Sequence, residues 1–291
     1  MNDYLLTAIL GIVEGITEFL PISSTAHLRI AQALLGTDMS NPFWKMFAVV
    51  VQIGPILTLP LFFRERLVVW LRSFPSGTRG DRTALTHPLT LTLVSFVFTA
   101  IPALALKKVI SKHLEDISLI AMTMIAGGIV MWVVDSMFGG RETGVTENEA
   151  AREIERMGFI RAVWIGLCQA MSGIFPGTSR SMATIAGGQI CGLSRTAALE
   201  YSFLLSIPTM VAATGKDLLD AVKGEPGVPP VHMDAHGWVL LLVGNLISFV
   251  VAYVVVGWFM NWVRTRGFVP FAIYRIVFGA AVLAWIFAAA K

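Results

Sequence analysis

Residues 14 to 27 read Glu-Gly-Ile-Thr-Glu-Phe-Leu-Pro-Ile-Ser-Ser-Thr-Ala-His, and residues 175 to 184 read Phe-Pro-Gly-Thr-Ser-Arg-Ser-Met-Ala-Thr. Each lies in a long apolar stretch, 4 to 36 and 159 to 192, and interrupts it with proline, small residues, hydroxyls and ionisable groups. Proline removes a helical hydrogen bond, and the serines and threonines just beyond it are good caps for a new helix. Each stretch therefore reads as two short helices around a break. Broken backbone inside a membrane is tolerated only where protein or a wet cavity satisfies its polar groups.

The rest of the chain supplies that membrane setting. Of 291 residues, 55% are apolar and 14% charged, against roughly a quarter charged in soluble domains. Six apolar spans are expected at 43 to 63, 85 to 105, 118 to 137, 196 to 215, 238 to 260 and 270 to 289, each near the length needed to cross about 30 Å of hydrocarbon. The N-terminus has no positive region or cleavage signature, so a removable signal peptide is not expected. Cys168 and Cys191 lack metal-ligand spacing and read as packing residues. The eight tryptophans read as belt or packing residues.

The net charge of +3 reflects topology more than a nucleic-acid surface, because the positive residues lie at span ends and in short loops. Residues 64 to 84 carry five arginines against two acids, and residues 261 to 269 carry two arginines and no acid. Residues 216 to 237 carry two lysines against four acids. Positive loops stay in the cytoplasm, which places both chain ends on the opposite face, although residues 107 to 116, at net +1, dissent. Residues 139 to 158, alternating acids and arginines, read as a solvated connection or short surface helix.

The chain also resembles itself. Gly11, Glu14, Glu18, Pro21 and Ser24 fall opposite Gly166, Gln169, Gly173, Pro176 and Ser179 at a constant offset of 155. Farther on, Pro55 pairs with Pro208 and Ser95-Phe96-Val97 with Ser248-Phe249-Val250 at an offset of 153. One broken segment followed by three spans makes each half, and an odd number of crossings inverts the second half relative to the first. The expected fold is an all-α polytopic membrane protein, with six transmembrane helices plus two re-entrant helical pairs in an inverted repeat. It forms a single membrane domain, 1 to 291, with repeats at 1 to 137 and 159 to 291.

Glu14 and Glu18, four apart on a helix, share a face. Two carboxylates in an apolar segment call for bound cations, shared protons or positive partners. Ser23, Ser24 and Thr25 are caps or phosphate ligands, and His27, one turn beyond Ser24, is an acid-base, nucleophilic, phosphate-binding or structural group. Ser179, Arg180 and Ser181 look anionophilic: hydroxyls, amides at a helix start, and a guanidinium fork that suits phosphate or pairs with Glu14 or Glu18. Gln52, Glu200 and Tyr201 read as interhelical partners or secondary site residues. Arg275 resembles an interface anchor. No dinucleotide fingerprint, Walker A motif or His-Glu-x-x-His helix is present, and no nucleic-acid partner is expected.

These constellations, with Glu200-Tyr201-Ser202-Phe203-Leu204-Leu205-Ser206-Ile207-Pro208 and Phe268-Val269-Pro270-Phe271-Ala272-Ile273-Tyr274-Arg275, resemble the undecaprenyl pyrophosphate phosphatase family, also called bacitracin resistance proteins. The resemblance covers nearly the whole chain. It implies an enzyme of the bacterial inner membrane, its site open to the periplasmic face, that converts undecaprenyl pyrophosphate to undecaprenyl phosphate, the lipid carrier reused in peptidoglycan synthesis. It also implies six spans, two re-entrant pairs and dependence on a divalent cation, Mg²⁺ or Ca²⁺, with Glu14 and Glu18 as metal ligands. Glu14, Glu18, Ser24, His27, Ser179 and Arg180 fall on family positions tied to catalysis or to phosphate and metal binding. Ala26 and Met182 depart from the pattern, where glycine is usual. Ser24 is the preferred nucleophile, assisted by a carboxylate or His27, with metal-activated water or His27 itself as competing nucleophiles. Expected partners are the polyprenyl pyrophosphate lipid, bilayer lipids and a second copy in a homodimer. A polyprenyl-phosphate flippase or transporter is the rival function.

Overall fold

The computed structural model describes residues 2–38, 41–106, 116–139, 146–224, 230–231 and 233–289. Its described residues form helices joined by turns. The N-terminal half holds α1 (Asp3–Thr17), α2 (Ser24–Leu34), α3 (Pro42–Val50), α4 (Ile53–Phe62), α5 (Arg64–Ser73), α6 (Pro88–Ala105) and α7 (Ile117–Phe138). The C-terminal part holds α8 (Glu147–Glu155), α9 (Phe159–Ile174), α10 (Arg180–Ile190), α11 (Arg195–Lys223), α12 (Ala235–Arg266) and α13 (Val269–Ala289). Among the described residues, six helical spans are long and apolar enough to cross a membrane: α3 with α4, α6, α7, α11, α12 and α13.

The sequence explains where these helices start. Asn41, His87, Asp116, Ser194 and Asp234 each accept a backbone N–H of the first turn, satisfying donors that lack an intrahelical partner. Thr146 and Glu149 make a reciprocal capping box at the start of α8. This nine-residue helix turns 104° from α9 and buries Ala150, Ala151 and Ile154. It is the short surface helix within the charged 139–158 segment; residues 140–145 of that segment lie outside the described residues, as do nine of the ten in the dissenting 107–116 loop.

The outer surface is apolar where lipid would lie. On α12, Leu242, Leu246, Val250, Val254 and Trp258 form an exposed stripe at four-residue spacing, which a water-exposed helix does not carry over this length. The interior is reversed: α11 buries every residue from Thr196 to Ser206, including Glu200, Ser202 and Ser206. Its Phe203 packs against Phe19, Phe63 and Phe259, with ring centroids 5.2, 6.2 and 6.4 Å apart.

The two broken segments sit inside this bundle. The helices in each pair, 15 and 11 residues in the first and 16 and 11 in the second, are at most about 24 Å long at 1.5 Å per residue. Neither helix spans the hydrocarbon alone, and within each pair the second packs back on the first. The first helix of each half lies against a span of the other: α1 on α12, and α9 on α6. Close contact is set by glycine: a Cβ at Gly15 would sit 2.8 Å from the Ser248 carbonyl oxygen, and one at Gly166 would strike the Ser95 carbonyl. Ser95 and Ser248, matched in the sequence, are both fully buried, donating to Ala162 O at 2.7 Å and Val51 O at 3.0 Å.

The 155 offset needs correction at the breaks. Among the described residues, Ser23 and Ser179 are the non-glycine residues with positive φ, 72° and 74°, and each immediately precedes a helix. Their offset is 156, so Ser179 corresponds to Ser23, while Ser24 corresponds to Arg180. From the proline to the positive-φ serine the second break takes three steps, Pro176 to Ser179, where the first takes two, Pro21 to Ser23. Ala26 and Met182, the two departures from glycine, fall at matching third positions of α2 and α10 and are both buried.

Replacing Gly15 with leucine should push α1 off α12, costing about 1–3 kcal/mol as overpacking. Thermal unfolding in detergent should show a lowered midpoint, whereas the same change at the exposed Gly173, whose Cβ meets nothing, should not.

Candidate active site

The first break begins where α1 ends, with Glu18 as its C-cap, and Pro21 prevents the helix from continuing. Ser23 then takes a left-handed backbone conformation that costs energy for a residue with a Cβ. The second break runs through Pro176 and Gly177, whose φ of +93° and close approach to Ile120 O and Thr123 Oγ1 leave no room for a side chain. The starts of α2 and α10 border one cavity of about 280 Å³.

Within it, the Ser24 hydroxyl donates to Glu18 Oε2 at 2.5 Å. Arg180 Nη2 donates to Glu18 Oε1 at 3.1 Å, so one carboxylate is shared between a serine from the first break and an arginine from the second. Arg180 Nη1 is buried with no partner among the described residues, leaving a charged donor for a ligand. Ser23, Thr25 and Ser179 also line the cavity. Ser181 does not: its hydroxyl donates to Leu20 O at 3.1 Å, tying α10 to the first break.

Glu14 is fully buried one turn before Glu18, and neither carboxylate oxygen meets the hydrogen-bond criteria with any described residue. Such a group is costly without a proton or a cation. Two hard carboxylates suit Mg²⁺ or Ca²⁺, and Mg²⁺ commonly uses one or two protein carboxylates beside substrate phosphates. Among the described residues no cluster of three or more His, Cys, Asp or Glu could hold a metal by itself, so the fit requires oxygens from another source. At the matching position of α9, Gln169 instead donates to Thr99 at 3.0 Å and Thr209 at 2.9 Å. The halves therefore differ chemically.

His27 points elsewhere. Its Nδ1 donates to Ser23 O at 2.7 Å, because a carbonyl only accepts, leaving Nε2 to accept from the Tyr274 hydroxyl at 2.7 Å. The ring stacks on Phe278, with centroids 4.7 Å apart. His27 thus holds the strained Ser23 backbone from behind, and Ser24 meets Glu18 in its place. Gln52 lines the cavity. Glu200 does not: it pairs with Arg66 at 2.8 Å, nine residues along α11 from the cavity-lining Thr209. Tyr201 bonds Ser95 at 2.7 Å, an interhelical role.

Arg275 is the residue that sequence reasoning misplaced. It is fully buried, not an interface anchor, and it donates to Pro21 O at 3.0 Å, Gly177 O at 3.0 Å, Met124 O at 3.2 Å and Thr123 O at 3.4 Å. One guanidinium thus satisfies carbonyls from both breaks. Gly127 opens the space, since a Cβ there would collide with Arg275 Nη2. The available signal was a charge six residues into an apolar span, which favours an interior role. Thr123 adds a hydroxyl bond to Pro176 O.

Together these features define a polytopic α-helical membrane protein with a serine, carboxylate and arginine cluster where two broken helices meet. The chain belongs to the Bacitracin resistance protein BacA family, whose model matches residues 7–281. A relative from Koribacter versatilis is 57% identical over 289 residues, covering 98% of this chain and 99% of the relative. Relatives from Sorangium cellulosum and Thermus thermophilus are 40% and 39% identical, covering 94% and 96% of this chain and 84% and 95% of their own lengths. All three carry the name undecaprenyl-diphosphatase.

Replacing Arg275 with methionine should leave buried carbonyls of both breaks unpaired, at about 1–3 kcal/mol each. Both the thermal midpoint in detergent and turnover should fall, and lysine, with charge but no planar fork, should restore only part of either.

Proposed function

We propose that this chain is an undecaprenyl-diphosphatase, hydrolysing undecaprenyl pyrophosphate to undecaprenyl phosphate and inorganic phosphate. The observation that carries the mechanism is the Ser24–Glu18–Arg180 chain, which supplies a nucleophile, its base and an anion-binding cation in one cavity. The names of the relatives and the family match support the substrate. Release of the monophosphate lipid would recycle the carrier for peptidoglycan synthesis.

In the first half-reaction Ser24 Oγ attacks the terminal phosphorus and passes its proton to Glu18. The bond from phosphorus to the bridging oxygen breaks, and Glu18 gives that proton to the departing lipid monophosphate. In the second, Glu18 takes a proton from water, the hydroxide attacks the phosphoserine, and Ser24 leaves with the proton from Glu18. Arg180 and the hydroxyls of Ser23 and Thr25 bind the phosphoryl oxygens, while Ser179, whose hydroxyl hydrogen goes to Ser181 Oγ at 3.1 Å, borders them. His27, fixed by Tyr274, positions Ser23 and with it the start of α2. Ser181 positions α10 through Leu20.

Glu14 and Glu18 would hold a divalent cation, which supplies charge neutralisation at the phosphate oxygens. The halves 1–137 and 159–291 represent a duplication in inverted topology, supported by the reciprocal packing of α1 on α12 and α9 on α6. Arg66, Arg195 and Arg264 group near Glu200, Asp135 and Glu147 at one end of the spans, and the positive loops assign that end to the cytoplasm. The catalytic cavity then opens toward the periplasmic face of the inner membrane. Hydrolysis is favoured over flipping because a serine bonded to a carboxylate serves chemistry, not carriage. The homodimer would be read from the mass of the protein in detergent.

Purified protein in detergent should release inorganic phosphate from undecaprenyl pyrophosphate without any membrane gradient. Glu18→Gln and Ser24→Ala should remain folded, with Glu18→Gln lowering turnover by about 10²–10⁴ through loss of the base. Folded wild-type protein that releases no phosphate would rule out the enzyme reading; a folded Glu18→Gln variant with full turnover would rule out that role for Glu18.

A further inference from the structure

The broken helices do not line the cavity alone. Gln52, between α3 and α4, and Thr209, Met210 and Ala213 of α11 line it too, with Ser172 of α9. A diphosphate presents two charged groups, so both need donors. Counting hydrogens shows which side chains have one to give.

Ser172 spends its hydroxyl hydrogen on Gln169 O at 2.7 Å, and Thr209 spends its own on Leu205 O at 2.9 Å while accepting from Gln169. Neither has a hydrogen left for phosphate. Gln52 precedes α4 without capping it, and its amide makes only a long bond, 3.4 Å, to Ala48 O. It is half-buried and lines the cavity together with the apolar Met210 and Ala213. Arg180, Ser23 and Thr25 line the cavity with Ser24, where they would meet the terminal phosphate that Ser24 attacks.

We propose that Gln52 is the donor for the lipid-linked phosphate, the group that leaves as the polyprenyl monophosphate, and so sets affinity for diphosphate over monophosphate headgroups. This rests on the diphosphatase reading. Bonded to a group that is charged both before and during the reaction, Gln52 stabilises ground and transition states alike. Its loss should appear in KM more than in kcat.

The test compares wild type, Gln52→Ala and Gln52→Glu with farnesyl pyrophosphate as substrate, and with farnesyl monophosphate and inorganic phosphate as competing ligands. For Gln52→Ala, KM and the inhibition constant of farnesyl monophosphate should rise together by about tenfold, the loss of one charge-assisted hydrogen bond. The inhibition constant of inorganic phosphate, which occupies the terminal subsite, should move less than twofold. Gln52→Glu, which sets a carboxylate against the phosphate, should raise the first two further. Unchanged KM and monophosphate inhibition in a Gln52→Ala variant with a wild-type melting midpoint would overturn the assignment, as would an equal rise for inorganic phosphate. Wild-type protein that hydrolyses no diphosphate defeats the diphosphatase reading instead; an active wild type with insensitive Gln52 variants defeats this inference alone.

Discussion

Two helices broken inside a membrane leave peptide carbonyls that neither lipid nor the helix can satisfy, and one guanidinium meets that need. Arg275 donates to Pro21 O in the first break and Gly177 O in the second. An arginine without a carboxylate partner is expensive to bury, yet four carbonyl acceptors and the gap at Gly127 give it a fixed place. The breaks are consequently held in register with each other, 155 residues apart in sequence at Pro21 and Pro176.

The chemistry depends on that register. Ser24 and Arg180 occupy matching first positions of α2 and α10, and they meet across one carboxylate, Glu18. A near-symmetric scaffold thus presents different groups at equivalent places: a hydroxyl opposite a guanidinium, and Glu14 opposite Gln169. On the proposed duplication, the repeat would supply the geometry, and divergence at a few positions the reaction. The strained serines, Ser23 and Ser179, turn the chain so that both helix starts border the same cavity.

Much of the fold was legible because hydropathy registers the same solvent that selects spans. The ends were not: the span expected at 196 to 215 continues as α11 to Lys223, because Lys216 and Asp220 pair along the helix and no longer need lipid. The site was legible where neighbours in sequence are neighbours in space, as with Glu14 and Glu18. It failed where long-range partners decide. His27 shares a turn with Ser24, but Tyr274, 247 residues away, takes its ring. The extra residue between Pro176 and Ser179 escaped because apolar, repetitive sequence tolerates a gap without penalty.

Activation of Ser24 by Glu18 for attack on phosphorus is most directly measured by rapid quenching of protein mixed with substrate labelled at its terminal phosphate, followed by denaturation and peptide mapping. Label should appear on Ser24 in wild type and be missing from the folded Ser24→Ala variant. Label on His27, or robust turnover by folded Ser24→Ala protein, would contradict it.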